Sequence, residues 1–342
     1  MSKKSSALAA AGILAAAVVL SGFSIYKDSH QKNSTDGTIT LRMAQTSSQA
    51  GAIGQSMEAF ADRIYDETEG KYKIETYHNG QLGAEIDTIE GCQMGTIDIA
   101  VVNQSTIGNF INDFQALDVP YLITSTEQAD AVFLGDIGTR FLDKLSGVQL
   151  YGLGIWESGF RNLTNSKRDV NSVDDVAGLK IRTMENSYHL AFWKAIGANP
   201  TPMSFSEVYI GLQQHTIDAQ ENPYEVIVSN NLYEQQDYVV ETNHLPHLIS
   251  LIVNDDFFRD LPADEQEIMT EAAKIATEYA REQSDARIVD KIAKIEESGT
   301  KILTLDGQTR ADIREASQSV YESIKENIDP AIYNAYMDGI EN

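Results

Sequence analysis

The chain has 342 residues, enough for two lobes, because single hydrophobic cores stop growing near ~250–300 residues. Its formal net charge of −25 argues against nucleic acid, whose phosphates need stripes of Lys and Arg, and against anionic membrane surfaces. A small anionic ligand stays open, since two arginines inside a cleft dominate the local potential whatever the outer surface carries.

Lys3 and Lys4 precede an apolar run over residues 7–20. Fourteen helical residues rise only about 21 Å, short of a ~30 Å hydrocarbon core, so residues 1–24 read as a secretory signal peptide or signal anchor. Leu20-Ser21-Gly22 stand where a bacterial lipoprotein signal precedes its modified cysteine, but position 23 is Phe. Lipid attachment at that point is therefore absent, and cleavage nearby and retention as an anchor both stay open. Residues 25–38 are polar and aperiodic, a flexible tether.

Ile39, Leu41 and Met43 alternate as in a half-buried strand. Residues 52–68 follow with apolar positions at helical spacing, then a strand over 73–77 and a turn at Asn79-Gly80. A helix starting at Glu85 leads to a strand over 97–102. The alternation predicts an α/β lobe with largely parallel pairing. In such lobes helix N-termini and strand C-termini share an edge where ligands settle. Glu85 and Asn103 stand on that edge, as ligand contacts or as a helix-dipole carboxylate and a turn residue. Cys92, the single cysteine, excludes an internal disulfide and a cysteine-cluster metal site, and reads as a small buried residue on a helix.

Residues 118–121 break the pattern, 127–145 form a helix, and 149–156 form a strand ending at Trp156, which either faces a sugar ring or packs in the core. A crossing between lobes is expected at Ser158-Gly159. The second lobe continues through a strand over 179–182 and a helix over 188–196. A helix over 262–297 reads as a strut touching both lobes, and helices over 312–340 close the chain. The expected boundaries are 39–158 plus 248–287 for lobe 1 and 159–247 plus 288–342 for lobe 2, a two-lobed, hinge-linked α/β binding-protein fold.

Residues 197–223 are the most informative stretch. Pro200 and Pro202 keep the backbone extended, and Met203 and Phe205 add apolar bulk. Ser206 is the expected N-cap of a helix running to His215. An extended segment over 216–220 then delivers Glu221-Asn222-Pro223. This loop, helix and loop bring Phe205 and Asn222 into one neighbourhood, where Phe205 walls a pocket or packs in the core. Arg182 ends the strand Lys180-Ile181-Arg182-Thr183, and a guanidinium offers a carboxylate two parallel hydrogen bonds in fixed geometry. Gln45 reaches the cleft only weakly. His189 and His215 lack a second ligand at i+3 or i+4, and there is no GxSxG elbow, P-loop or GxGxxG. Neither an enzyme, a metal site nor a cofactor is expected.

The run TPMSFSEVYIGLQ over 201–213, followed by IDAQENP over 217–223, resembles the signature of the DctP-type extracytoplasmic solute-binding proteins of TRAP (tripartite ATP-independent periplasmic) transporters. GLKIR over 178–182 and GFRNLTNSKR over 159–168 match the same family at its usual spacing. The resemblance implies an exported protein, in the periplasm or at the outer face of the cytoplasmic membrane, that delivers an organic acid to integral membrane subunits for ion-gradient-driven uptake. It implies that Arg182 pairs with the ligand carboxylate, that Asn222 orients the ligand and that Glu85 meets ligand hydroxyls. Arg161 matches a second family arginine, either near the same carboxylate or bridging the lobes. Asn103 and Thr106 stand where the sialic-acid-binding branch has a glutamate and an arginine, which speaks against sialic acid. Glu85, Asn103 and Asn222 point to a hydroxylated acid such as a uronate, aldonate or keto-sugar acid. A C4-dicarboxylate, or a sensor role for the same lobes, is the alternative.

Overall fold

The computed structural model describes residues 37–341 apart from residue 287. The expected export segment and residues 25–36 of the tether lie outside the described residues. Eleven strands run in chain order: β1 (Ile39–Ala44), β2 (Tyr72–Tyr77), β3 (Ile99–Asn103), β4 (Leu150–Phe160), β5 (Asn162–Asn165), β6 (Lys180–Thr183), β7 (Asn199–Pro202), β8 (Ala219–Asn222), β9 (Tyr238–Glu241), β10 (Pro246–Asn254) and β11 (Lys301–Thr304). They form two sheets, β2-β1-β3-β10-β4 and β11-β9-β5-β8-β6-β7, one in each lobe of a two-lobed α/β fold.

The first sheet is mixed, not largely parallel. β1 pairs in parallel with β2 and β3, while β10 runs antiparallel to both β3 and β4. The reason is connectivity: β10 arrives from the second lobe and enters between β3 and β4 from the opposite end. All nine of its residues are buried, as a strand covered on both faces must be. One face of this sheet packs on the helices Ala52–Glu67 and Ala263–Ala286. Leu41, Ile64, Phe60, Met57, Ala272 and Ala280 fill that interface. Cys92 is fully buried on the helix Glu85–Gln93.

In the second sheet β7 is an edge strand beside β6, which suits its two prolines because the edge needs no outward N–H donor. The helix after it runs over Val208–Gln213, preceded by a 3-10 turn at Phe205–Glu207. Ser206 is inside that turn and does not cap it. Ser204 opens the turn, and its hydroxyl donates to Glu207 Oε2 at 2.6 Å.

Among the described residues the chain passes between lobes at three places before its last helix returns to the first lobe. β4 runs through Phe160, Arg161 alone intervenes, and β5 begins at Asn162. The return leads from β9 to β10, and Arg161 N donates to Leu245 O at 2.9 Å, so the two crossings are hydrogen-bonded to each other. The third crossing is the expected strut, in two helical pieces. Ala263–Ala286 packs on β4 and Ile288–Glu297 packs on the helix Tyr224–Ser229 and on β11. The last helix, Pro330–Glu341, packs on Thr126–Phe133 and Asp136–Lys144, beside β4.

A contact outside the cleft also joins the lobes. Glu225, on the helix Tyr224–Ser229, accepts from Ala52 N at 2.7 Å, at the start of the first-lobe helix whose Gly51 supplies no side-chain cap. Its other oxygen pairs with Lys291 on the strut, and Lys291 Nζ also donates to Ser284 O at 2.8 Å. Glu225→Ala removes a helix cap, worth about 0.5–2 kcal/mol, and leaves a buried ammonium without its carboxylate. Because Glu225 touches no ligand-facing group, the expected result is weaker binding of every ligand by a similar factor, read by calorimetry across chemically different acids.

Candidate functional site

Each wall of the site comes from the end of a strand or the start of a helix. Gln45, Thr46 and Ser47 follow β1, Asn103 ends β3, and Glu85 opens the helix Glu85–Gln93. From the second sheet, Arg182 comes from β6 and Asn222 ends β8, while Phe205 opens the turn after β7. These residues line one cavity between the lobes, with Met184, His247 and Ile249. Five of the residues singled out from sequence, Arg182, Asn222, Glu85, Phe205 and Asn103, thus meet there.

Arg182 is 3% exposed. Its Nε donates to Met203 O at 2.9 Å, and its guanidinium lies 5.7 Å from the centre of the Phe205 ring. These contacts fix the plane of the group and leave both terminal nitrogens as a fork, the arrangement that meets a carboxylate through two parallel bonds. Phe205 is therefore a support for Arg182 as well as a wall. Burial, reinforced by the nearby charge of Arg161, pushes the Arg182 pKa down to about 10, which leaves it cationic at neutral pH.

Opposite charge faces it. The Glu85 carboxylate accepts from Asn103 N at 3.1 Å and from Thr106 Oγ1 at 2.6 Å. Burial raises its pKa against those bonds and against the pull of Arg182 and Arg161. Asn222 Nδ2 donates to Gln220 Oε1 at 2.6 Å, which orients its amide.

Arg161 and Trp156 are placed differently. Trp156 is 2% exposed in the core between β4, β10 and the strut, and is absent from the cavity lining. Its indole faces apolar neighbours, because β4 carries it to the packed face of the sheet. Arg161, 1% exposed, sits one layer behind the cavity. It pairs through Nε with Glu221, its Nη2 donates to Glu221 O and Oε1 at 2.6 and 2.8 Å, and its Nη1 reaches His247 Nδ1 at 2.6 Å.

Glu221 is the hub of a buried charge network that crosses the lobes. His244 Nε2 lies 3.1 Å from it and His189 Nδ1 3.5 Å, and His189 Nε2 lies 3.3 Å from Asp118 in the first lobe. Asn186 donates to Asp118 Oδ2 and to Ser105 O, both at 2.8 Å, tying the helix Ser187–Ala195 to the same point. Burial opposes ionisation of Glu221, but the charge of Arg161 and the bonds to His189 and His244 outweigh it and hold the carboxyl well below its ordinary range. Burial likewise opposes a charge on His189, yet Asp118 and Glu221 raise its pKa. Burial lowers His244 and His247, with Arg161 adding to the shift in both.

The sign of the pH dependence follows. His244 and His247 are neutral when folded and take up protons when unfolded, so their contribution is complete above their ordinary value of 6.5 and is lost as pH falls below it. His189 acts oppositely, stabilising below 6.5 and losing its contribution as pH rises through its raised value. Below 6.5 the His189 contribution no longer changes while those of His244 and His247 fade, so stability is expected to decline on acidification starting below about pH 6.5. Denaturant melts at a series of pH values measure this.

No role was assigned from sequence to Asp118, Glu221 or His247. Glu221 stood inside the IDAQENP run beside Asn222, Asp118 only at a break in the strand and helix pattern, and His247 as one histidine inside the apolar stretch 246–254. Among the described residues no group of acidic, His and Cys side chains is arranged to hold a metal ion, and no helix is long and apolar enough to cross a membrane.

A cleft between hinged lobes, with a pre-oriented buried arginine on one wall and hydrogen-bonding groups on the other, defines a binding protein for a small anionic solute. The chain belongs to the bacterial extracellular solute-binding protein family 7, DctP, whose model matches residues 43–327. It is 35% identical over 264 residues to a solute-binding protein of Verminephrobacter eiseniae, covering 77% of this chain and 79% of that one. It is 32% identical to the 2,3-diketo-L-gulonate-binding periplasmic protein YiaO of Escherichia coli, over 80% of this chain and 84% of YiaO. Its fold superposes with a TM-score of 0.86 on the sugar acid binding protein DctPAm of Advenella mimigardefordensis in complex with galactonate, at 31% identity, covering 89% of this chain and 98% of that one.

Proposed function

We propose that this protein captures a hydroxylated sugar acid, an aldonate, uronate or keto-sugar acid, outside the cytoplasmic membrane and hands it to the membrane subunits of a TRAP transporter. The observation that carries the reading is the Arg182 fork facing Glu85 across the cavity. The arginine matches one carboxylate, and Glu85 accepts from ligand hydroxyls where a second carboxylate meets like charge. The family membership, and relatives that bind galactonate and diketogulonate, support the same class.

Arg182, Asn222, Glu85, Phe205 and Asn103 form the proposed ligand site, with Arg161 behind them as the buried brace. The lobes comprise residues 39–158 with 248–287 and 159–247 with 288–342, the last helix latching back onto the first. Closure of the lobes over the ligand removes water, so the Arg182 contact strengthens in a lower dielectric. Ligand selects the closed form only through its higher affinity for that form.

Native mass spectrometry of protein purified from a culture fed a mixture of aldonates, uronates and C4-dicarboxylates tests the reading. The expected adduct is one polyhydroxy monocarboxylate, released chemically unchanged. A dicarboxylate adduct overturns the substrate class, and a converted product overturns the binding role.

A further inference from the structure

The hydrogen bonds that His247 makes within the protein use only one of its two ring nitrogens. It lies on β10, the strand on which the chain returns to the first lobe, it is 6% exposed, and it lines the cavity. Two nitrogens converge on one of its ring atoms: Arg161 Nη1 at 2.6 Å and Asn103 Nδ2 at 2.9 Å both approach Nδ1. A guanidinium has only donors. The Asn103 amide is oriented independently, because its Oδ1 accepts from Ser105 N at 2.8 Å, so its nitrogen also donates. Nδ1 therefore accepts and carries no proton. The ring proton of a neutral imidazole then sits on Nε2, which has no hydrogen-bond partner among the described residues and belongs to a side chain on the cavity wall. Protonation of Nδ1 would face two donors, and burial beside Arg161 disfavours it as well.

Asn103 serves both sides of this arrangement. Its backbone N–H holds the Glu85 carboxylate while its side chain holds the His247 ring. Glu85, when ionised, is acceptor only, and His247 Nε2–H is donor only. We propose that His247 is a specificity-determining residue of the site, donating from Nε2 to a hydroxyl or carbonyl oxygen of the ligand whose carboxylate sits on Arg182. The inference rests on the sugar-acid reading and deepens it. The ligand must offer at least one oxygen acceptor for His247 and one hydroxyl donor for Glu85, which an aldonate or keto-sugar acid supplies and an unsubstituted alkyl dicarboxylate does not.

Two substitutions separate donor from framework. The amide of His247→Asn falls near the Nδ1 position, where it keeps an acceptor for Arg161 but removes the cavity donor. The amide of His247→Gln reaches the Nε2 position and keeps the donor. The probes are D-galactonate, D-erythronate and the 2-deoxy and 3-deoxy analogues of erythronate, titrated calorimetrically against wild type and both variants. The expected result is a loss of roughly 5- to 100-fold for the full ligands in His247→Asn, with substantial recovery in His247→Gln. One deoxy analogue should lose much less than its parent, because it already lacks the oxygen that His247 serves. Nitrogen-15 NMR of the ligand-free protein should show the Nε2–H tautomer.

Equal losses for every ligand and analogue, or an Nδ1–H tautomer, overturn the role of His247 and leave the sugar-acid reading standing. Wild-type protein that binds neither these aldonates nor any uronate or keto-sugar acid titrated beside them overturns that reading and this inference with it.

Discussion

Arg182→Ala is expected to abolish capture of carboxylate ligands while the protein still folds and melts near the wild-type temperature. The guanidinium spends one nitrogen on Met203 O and rests on Phe205, and neither contact holds a core element. On the proposed reading the charged fork serves the ligand more than the fold. Removing one partner of a desolvated charge pair costs ~2–5 kcal/mol, or roughly 30- to several-thousand-fold in affinity. Arg182→Lys should recover little, because an ammonium keeps the charge but not the paired geometry. Calorimetric titration with denaturation in parallel reads both quantities. Retained affinity in Arg182→Ala removes the residue from the ligand contact.

The opposite pattern is expected at Glu221. It is fully buried, and its carboxylate accepts two guanidinium bonds and approaches two histidines. Glu221→Ala leaves Arg161 charged and unpaired beside His247, and breaking a buried pair on one side typically costs ~3–5 kcal/mol. The expected outcome is a large fall in the midpoint of chemical denaturation, with binding lost through the fold. The double replacement Arg161→Met with Glu221→Leu should recover much of the stability, since an apolar pair of similar volume is often neutral or better. A Glu221→Ala protein as stable as wild type would show that the network contributes nothing to holding the lobes.

This contrast also shows what the sequence could and could not disclose. Arg182, Phe205 and Asn222 were legible because short-range signals place them: a strand end, a proline-bounded loop and a turn after a strand. The family signature assigned roles to the same positions. The alternating lobes were legible from periodicity, down to the strut helix. The antiparallel entry of β10 was not, because a strand buried on both faces reads as a continuous apolar run and carries no direction. Arg161 was left between two roles by sequence, and its position behind the cavity rests on partners 60 and 86 residues away, Glu221 and His247. Trp156 gave no means of telling the ligand face of its strand from the core face. Its placement in the core follows from the helix Ala263–Ala286, which covers β4 from more than 100 residues downstream.

Binding by a two-lobed protein depends on the difference between open and closed forms, so groups far from the ligand tune affinity without touching it. Glu225 and Lys291 are such a pair on the outer side of the lobes, and the Asp118–His189–Glu221 chain is another at the hinge. Substitutions there should shift all ligands together, whereas substitutions at Arg182, Glu85 and His247 should reorder them.

The central claim is that the cleft selects a hydroxylated monocarboxylate. Thermal melting of residues 25–342 against uronates, aldonates, keto-sugar acids, C4-dicarboxylates and sialic acid tests it most directly, since ligand at 100 times its dissociation constant adds about 2.7 kcal/mol of stability. The account predicts a clear upward shift with one or a few sugar acids and little with succinate or malate. A shift confined to the dicarboxylates, or to sialic acid, would contradict it.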